Sequence, residues 1–199
     1  MAVSSADLDA ARIPHLFRGV GIDGMRAPAG SRTAASIKVV RVYIGELEER
    51  SGAGLMLLGP VGTGKTRTMC TVGQAAIERG MSTLYATAGE AVRLIRSSWR
   101  KDSTRSEPDA WARLIDPDLL LLDEIGLGYA SDGERMILGE LIDARYRNAQ
   151  RTLLATNCTA SELTDYIGER AFDRLAQTCQ ALVFDGPSHR RSTSTPEGT

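Results

Sequence analysis

The chain has 199 residues, of which 42% are apolar and 25% charged, and its formal net charge is −1. That size and composition fit one soluble globular domain with one core. A balance this close to zero excludes a protein drawn to nucleic acid by its overall field, so any such contact must come from a local patch.

The opening "MAVSSADLDA" has no basic segment followed by an apolar run, so it does not read as a secretory signal. The apolar runs are a few residues long, well short of a bilayer span, and no membrane contact is expected. Cys70, Cys158 and Cys179 are far apart, an odd set with no Cys-x-x-Cys. That pattern suits a reducing compartment, and a cytoplasmic location is expected. His15 and His189 are too isolated for a metal or acid–base site.

From Ser31 onward, Ile37, Val40, Ile44 and Leu47 recur at helical spacing and predict an amphipathic helix. "GLMLL", from residue 54, reads as a short strand. The glycine-rich "GPVGTGKT" follows, and a helix is expected from Lys65 to about Arg79, with Gly80 as its stop. "STLYA" reads as a second strand, "GEAVRLIRSSWR" as a helix and "KDSTRSEPD" as a loop. "LLLLDE" is too apolar for a half-exposed strand and suits the inside of a parallel sheet. Ser131 and Glu134 stand at capping-box spacing and open another helix. "RTLLAT" reads as a fourth strand and "ALVFD" as a fifth, and between them Thr159 and Glu162 form a second possible capping box. Strands alternating with helices imply a parallel α/β sheet. The last stretch, "GPSHRRSTSTPEGT", has no large apolar residue and is expected to fray.

Gly59-Pro60-Val61-Gly62-Thr63-Gly64-Lys65-Thr66 fits the P-loop pattern G-x-x-x-x-G-K-[ST] in full. The glycines let successive N–H groups turn inward to phosphate oxygens, and the following helix presents its positive end to the same anion. Lys65 is expected to bridge the β- and γ-phosphates of ATP and Thr66 to hold Mg²⁺. At the end of "LLLLDE", Asp123 is the second expected Mg²⁺ contact and Glu124 the base that orients and deprotonates water. The plain alternative for this pair is a polar strand end. Asn157, closing "LLATN", could hydrogen-bond the γ-phosphate or the attacking water, although Asn at a strand end is also ordinary turn chemistry.

"GERAFDRL", Gly168 to Leu175, places Arg170 and Arg174 four apart. Like charges at that spacing disfavour an isolated helix by a few tenths of a kcal/mol. Either this is a solvated face with scattered ion pairs, or the two guanidinium groups await an anion from elsewhere.

A P-loop, a DE pair, a strand-terminal Asn and then arginines, in that order, resemble an AAA+ ATPase. "IPHLFRG", "LLLLDEIG", "LIDARYRN", "GERAFDRL" and "FDGPSHR" resemble, more narrowly, the DnaC/DnaI-type replicative helicase loaders and the related IstB-like transposition helper ATPases, from about Ile13 to Arg190. The resemblance implies a P-loop NTPase fold: five parallel strands flanked by helices, the P-loop strand central, no separate helical lid domain. It sets a short N-terminal tail at residues 1–12 apart from an ATPase domain at 13–185 and a flexible tail at 186–199. Arg174 matches the family's arginine finger, acting on the γ-phosphate of a neighbouring subunit, with Arg170 as its companion. Arg190 matches a family arginine after the last strand, which implies a contact to nucleotide.

The resemblance further implies a homo-oligomer acting on single-stranded DNA with a replicative ring helicase as partner. An IstB-like action on duplex DNA with a transposase is the alternative, and a non-hydrolysing ATP-dependent assembly module a third reading. Loaders carry a helicase-binding region where only about a dozen residues precede Ile13 here, so that contact is expected to be absent, remade or supplied by another chain. Between Ala88 and Ser106, Arg93, Arg96, Arg100 and Lys101 surround Trp99. Arginines could follow DNA phosphates there and the indole could stack on a base; a solvated helix face with Trp99 in the core is the alternative.

Overall fold

The four leucines from Leu119 to Leu122 are each fully buried, because the strand they form has another strand on both sides and helices above and below. The structure, a computed structural model, describes residues 3–49, 52–126, 128, 130–186 and 188. Five strands make one sheet: β1 (Gly54–Leu58), β2 (Thr83–Thr87), β3 (Leu119–Ile125), β4 (Arg151–Thr156) and β5 (Cys179–Val183). Their order is β2-β3-β4-β1-β5 and every pairing is parallel. The expected α/β sheet of five parallel strands is therefore present. The P-loop strand β1 is interior, between β4 and β5, but it is not the middle strand, which is β4.

Eight helices cover the sheet among the described residues: α1 (Ser5–Ala10), α2 (Arg32–Gly45), α3 (Lys65–Glu78), α4 (Ala88–Ser98), α5 (Glu107–Ile115), α6 (Asp132–Arg147), α7 (Ala160–Ile167) and α8 (Glu169–Thr178). Alternation along β3 sends Leu119 and Leu121 into a core shared with α1, α2 and α3, and Leu120 and Leu122 into a core shared with α4 to α8. Side chains of period two on a strand with both faces covered give this three-layer build. Ile37, Val40, Ile44 and Leu47 are all buried, the last three in the first core. The capping boxes expected at Ser131–Glu134 and Thr159–Glu162 are formed, and Thr87–Glu90 makes a third at the start of α4.

Three elements differ from the sequence reading. β5 starts two residues earlier than expected, at Cys179, directly after the last residue of α8. Helix α5 occupies what reads as loop followed by unassigned chain. It buries only Ala110 and Leu114, too short an apolar stripe to announce a helix. The stretch set apart as an N-terminal tail carries α1, whose Ser4–Asp7 capping box starts it and whose Leu8 is buried. Just beyond it, the Ala11 carbonyl accepts the Tyr85 N–H at 2.8 Å. Among the described residues no helix follows β5, in keeping with the absence of a separate lid.

Arg145 of α6 is 1% exposed and contacts no carboxylate. Its guanidinium donates to the carbonyls of Leu114, Ile115 and Pro117 at 2.8–3.0 Å, to that of Arg151, and to the Thr152 hydroxyl at 3.0 Å. These acceptors lie at the C-terminal end of α5, in the turn after it and at the start of β4. One side chain thus ties three elements together. Burial presses its pKa down to about 10 against the pull of Asp118 and Asp116, which still leaves it charged at neutral pH.

Candidate functional site

Parallel strands leave their C-terminal ends and the loops after them along one edge, where α/β folds gather ligands. Here that edge holds a cavity of about 650 Å³, within the range for a nucleotide-sized ligand. Gly62, Gly64, Lys65, Thr66, Asp123, Glu124 and Asn157 all line it. The structure therefore brings together, in one cavity, residues drawn from the ends of β1, β3 and β4.

The loop after β1 runs into α3 with no side-chain cap, so the first N–H groups of that helix are left for a ligand. Gly64 holds φ +97° as the helix N-cap, a left-handed conformation that a side chain would strain, with open space where a Cβ would stand. Gly59 holds φ +146°, and a Cβ there would come within 1.9 Å of the Phe184 carbonyl oxygen. Its glycine lets the end of β1 and the residue after β5 touch. Lys65 Nζ donates to the carbonyls of Gly59 and Pro60, so its ammonium already lies against the loop.

Asp123 is 4% exposed. One oxygen accepts the Tyr85 hydroxyl at 2.9 Å and the other the N–H of Glu124 at 2.8 Å. Burial and then the facing Asp123 charge push the Tyr85 phenol far above its ordinary value, so it stays a donor. Burial and the same carboxylate raise the Cys70 thiol to about 12, which keeps it protonated beneath the site.

Glu124 owes its direction to a bulge. Leu122 pairs with Leu154 and Ile125 with Thr156, so Asp123 and Glu124 together oppose Ala155. Glu124 takes φ +58°, uncommon for a residue with a side chain and costing of order 1–3 kcal/mol where surrounding structure enforces it. In an unbulged strand Asp123 and Glu124 would point to opposite faces of the sheet. The bulge turns both to one cavity, the kind of re-aiming for which bulges recur beside active sites. At the end of β4, Thr156 donates its hydroxyl to the Ile125 carbonyl at 2.7 Å and accepts the Cys158 N–H at 3.0 Å. That fixes the turn on which Asn157 stands.

The other wall is apolar. Leu16, Phe17 and Val20 line the cavity, on a segment strapped across α3. Gln74 accepts the Gly19 N–H at 2.7 Å and donates to the Phe17 carbonyl at 3.0 Å, while Thr71 donates to the Val20 carbonyl at 3.0 Å. Leu16 is 82% and Val61 57% exposed, large apolar surfaces at the rim of a polar site. In the sequence alone "IPHLFRG" stands out only through the resemblance. The available signal was an apolar pair, Leu16 and Phe17, outside any periodic element.

Thr66 hydroxyl and Asp123 carboxylate are hard oxygen donors on one cavity, the set that suits Mg²⁺ when phosphate oxygens complete the shell. The uncapped α3 N-terminus offers N–H groups to an anion, and Leu16, Phe17 and Val20 offer an apolar surface beside it.

Arg170 and Arg174 do not line this cavity. Both lie on α8 and turn to Asp143 of α6, at 3.1 and 3.7 Å, where Arg147 joins them at 3.2 Å. Among the DNA-contact candidates, Arg96 donates to Ser131 and pairs with Glu134, Arg100 pairs with Asp102, and Arg93 and Lys101 are exposed. Trp99, the C-cap of α4, is 47% exposed, so it is not a core residue. Arg190 and His189 lie outside the described residues.

The family profile described as IstB-like ATP binding protein matches residues 47–196. The replicative helicase loader DnaC of Escherichia coli K12 is 29% identical over 156 residues, 78% of this chain and 63% of that protein. The chain thus spans a little under two thirds of the length of the curated relative. Among solved structures, the DnaC helicase loader superposes with a TM-score of 0.77 at 19% identity, covering 86% of this chain and all of that one. DnaI superposes with a TM-score of 0.71 at 17% identity, covering 88% of this chain and 93% of that one. At these identities the superpositions speak for the fold alone. Among the described residues no helix is long and apolar enough to cross a membrane.

Proposed function

Because the chain belongs to the family of IstB-like ATP binding proteins, we propose that it is an ATP-hydrolysing DNA-replication factor of the helicase-loader type. The observation that carries this reading is the convergence of Lys65, Thr66, Asp123, Glu124 and Asn157 on one cavity. ATP lies with its phosphates along the loop from Gly59 to Thr66 and its base against Leu16, Phe17 and Val20. Mg²⁺, held by Thr66 and Asp123, supplies neutralisation of phosphate charge. Glu124, aimed by the bulge, takes the proton from water as the water attacks the γ-phosphorus, the bond to the β-phosphate oxygen breaks and ADP leaves; Asn157 positions that water. A carboxylate so placed favours hydrolysis over a nucleotide-dependent module that never turns over. Arg174, with no place in its own cavity, acts in trans on the neighbouring subunit, so turnover depends on assembly. Single-stranded DNA, following Arg93, Arg96, Arg100 and Lys101, and a ring helicase are the partners this reading names.

Glu124→Gln keeps the shape and the Mg²⁺ contacts but removes the base. It should bind ATP as the parent chain does and hydrolyse it at least about 10²-fold more slowly, whereas Lys65→Ala should lose binding. ATP titration and phosphate release measure the two. Normal turnover by Glu124→Gln would remove this residue from the mechanism, and a parent chain inactive with DNA and partner present would leave the assembly-module reading.

The family match itself favours a second reading, a transposition helper acting on duplex DNA with a transposase. Comparing ATP-dependent binding to single-stranded and duplex DNA of one length separates the two.

A further inference from the structure

Asp143 and Tyr146 stand one turn apart on α6, and both face Arg174 of α8. The Arg174 guanidinium carbon lies 4.4 Å from the centroid of the Tyr146 ring. Its Nε is buried without a hydrogen-bond partner and turned to Asp143 Oδ1 at 3.7 Å. Among the described residues no hydrogen bond engages its two terminal nitrogens, and the side chain is 30% exposed. Arg170 is held the other way round. It spends a terminal nitrogen on both Asp143 oxygens, at 3.1 and 3.2 Å, and is 76% exposed. Tyr146 is itself fixed, its hydroxyl donating to Gln177 at 2.9 Å and Gln177 donating to Asp173 at 2.6 Å.

We infer that Asp143 and Tyr146 are positioning residues that hold Arg174, and not Arg170, with its terminal nitrogens presented to the neighbouring subunit's γ-phosphate. A free arginine side chain must give up rotamer freedom to meet a phosphate. Here stacking on a ring fixes the guanidinium plane, and the carboxylate 3.7 Å from Nε draws that side of the group toward α6 by charge while leaving the fork open. Asp143 faces three guanidinium groups at once, Arg147, Arg170 and Arg174, so it cannot neutralise them all. The inference rests on the proposal that Arg174 acts in trans.

The test uses full-length chains in mixed assemblies. Lys65→Ala has no working pocket and Arg174→Ala no finger, so their mixture should hydrolyse ATP only where an intact pocket meets an intact finger. Asp143→Asn added to the Lys65→Ala chain, which donates the finger, should lower the restored kcat about 10- to 100-fold, the usual cost of a small misplacement, with KM for ATP unchanged. The same change added to the Arg174→Ala chain has no finger left to hold and should add no further loss. Tyr146→Leu on the finger-donating chain should act like Asp143→Asn, and Tyr146→Phe, which keeps the ring, should restore most of the rate. Tyr146→Leu also serves if Asp143→Asn does not fold, and sedimentation with ATP checks assembly of every mixture. Equal losses from either chain, or none, would overturn the inference while leaving the trans finger standing. No restored activity in the parent mixture, with assemblies formed, would remove the trans finger and the inference with it.

Discussion

Asp123 has both carboxylate oxygens engaged by its own chain, by the Tyr85 hydroxyl and the Glu124 N–H, and this fixes its rotamer at the mouth of the cavity. Second partners of a metal-binding carboxylate typically matter 10- to 100-fold for metal affinity or activity. Tyr85→Phe keeps the ring in β2 and removes only that hydroxyl. The Mg²⁺ concentration for half-maximal ATP hydrolysis should rise about 10-fold, with little change in thermal stability; an unchanged Mg²⁺ titration would show that Tyr85 merely fills space. Residues of this rank divide by legibility. That Lys65, Thr66, Asp123 and Glu124 would share one cavity was legible, because they stand in two contiguous motifs. Tyr85 could not be read, since its partner is 38 positions away and a tyrosine in a strand is ordinary strand composition. The bulge that aims Glu124 left no mark either, because the sequence around it is a plain apolar run.

At the scale of elements, Arg145 decides whether α5, the turn after it and β4 stay in register with α6. Arg145→Met fills much of the volume but leaves up to four carbonyls and a hydroxyl without their donor. Each buried group so orphaned costs about 1–3 kcal/mol, and water reaches some of them, so a total of at least about 3 kcal/mol is expected in urea unfolding. Arg145→Lys should recover little, since one ammonium cannot reproduce a planar fork with five donors; full recovery would mean that charge alone matters. Which elements the sequence disclosed follows the same physics. Strands β1 and β4 and the helices opened by Ser131 and Thr159 announce themselves by apolar runs and local capping. Helix α5 is held both by Ala110 and Leu114 in the core and by a buried arginine from another helix, and no window along its own sequence contains the second contact. The early start of β5 likewise comes from pairing: Cys179 lies beside Gly54, so the sheet extends the strand back to the end of α8.

For the molecule as a whole, a net charge of −1 means that the DNA binding proposed above must come from a local surface, and α4 carries the proposed one. Arg96 and Arg100 each already face a carboxylate, so phosphate has to displace Glu134 or Asp102 and part of the attraction is spent on that exchange. Changing both to Ala should flatten the dependence of log affinity on log salt by about 1.4, since each phosphate contact to a single strand contributes roughly 0.7. ATP binding should be untouched, and an unaltered slope would clear this surface of any role. A larger consequence lies in the junction where Thr178 ends α8 and Cys179 begins β5. The strand runs beside β1 as far as Val183, and the next residue, Phe184, donates its N–H to the Leu58 carbonyl and sets its own carbonyl against Gly59. Between Arg174, the proposed finger, and Phe184, which touches Gly59 of the phosphate loop, there are nine residues of continuous helix and strand. In a ring or filament of such subunits, a tug on α8 at one joint reaches the phosphate loop of the same subunit as it would along a taut cord, and the joints are strung in series.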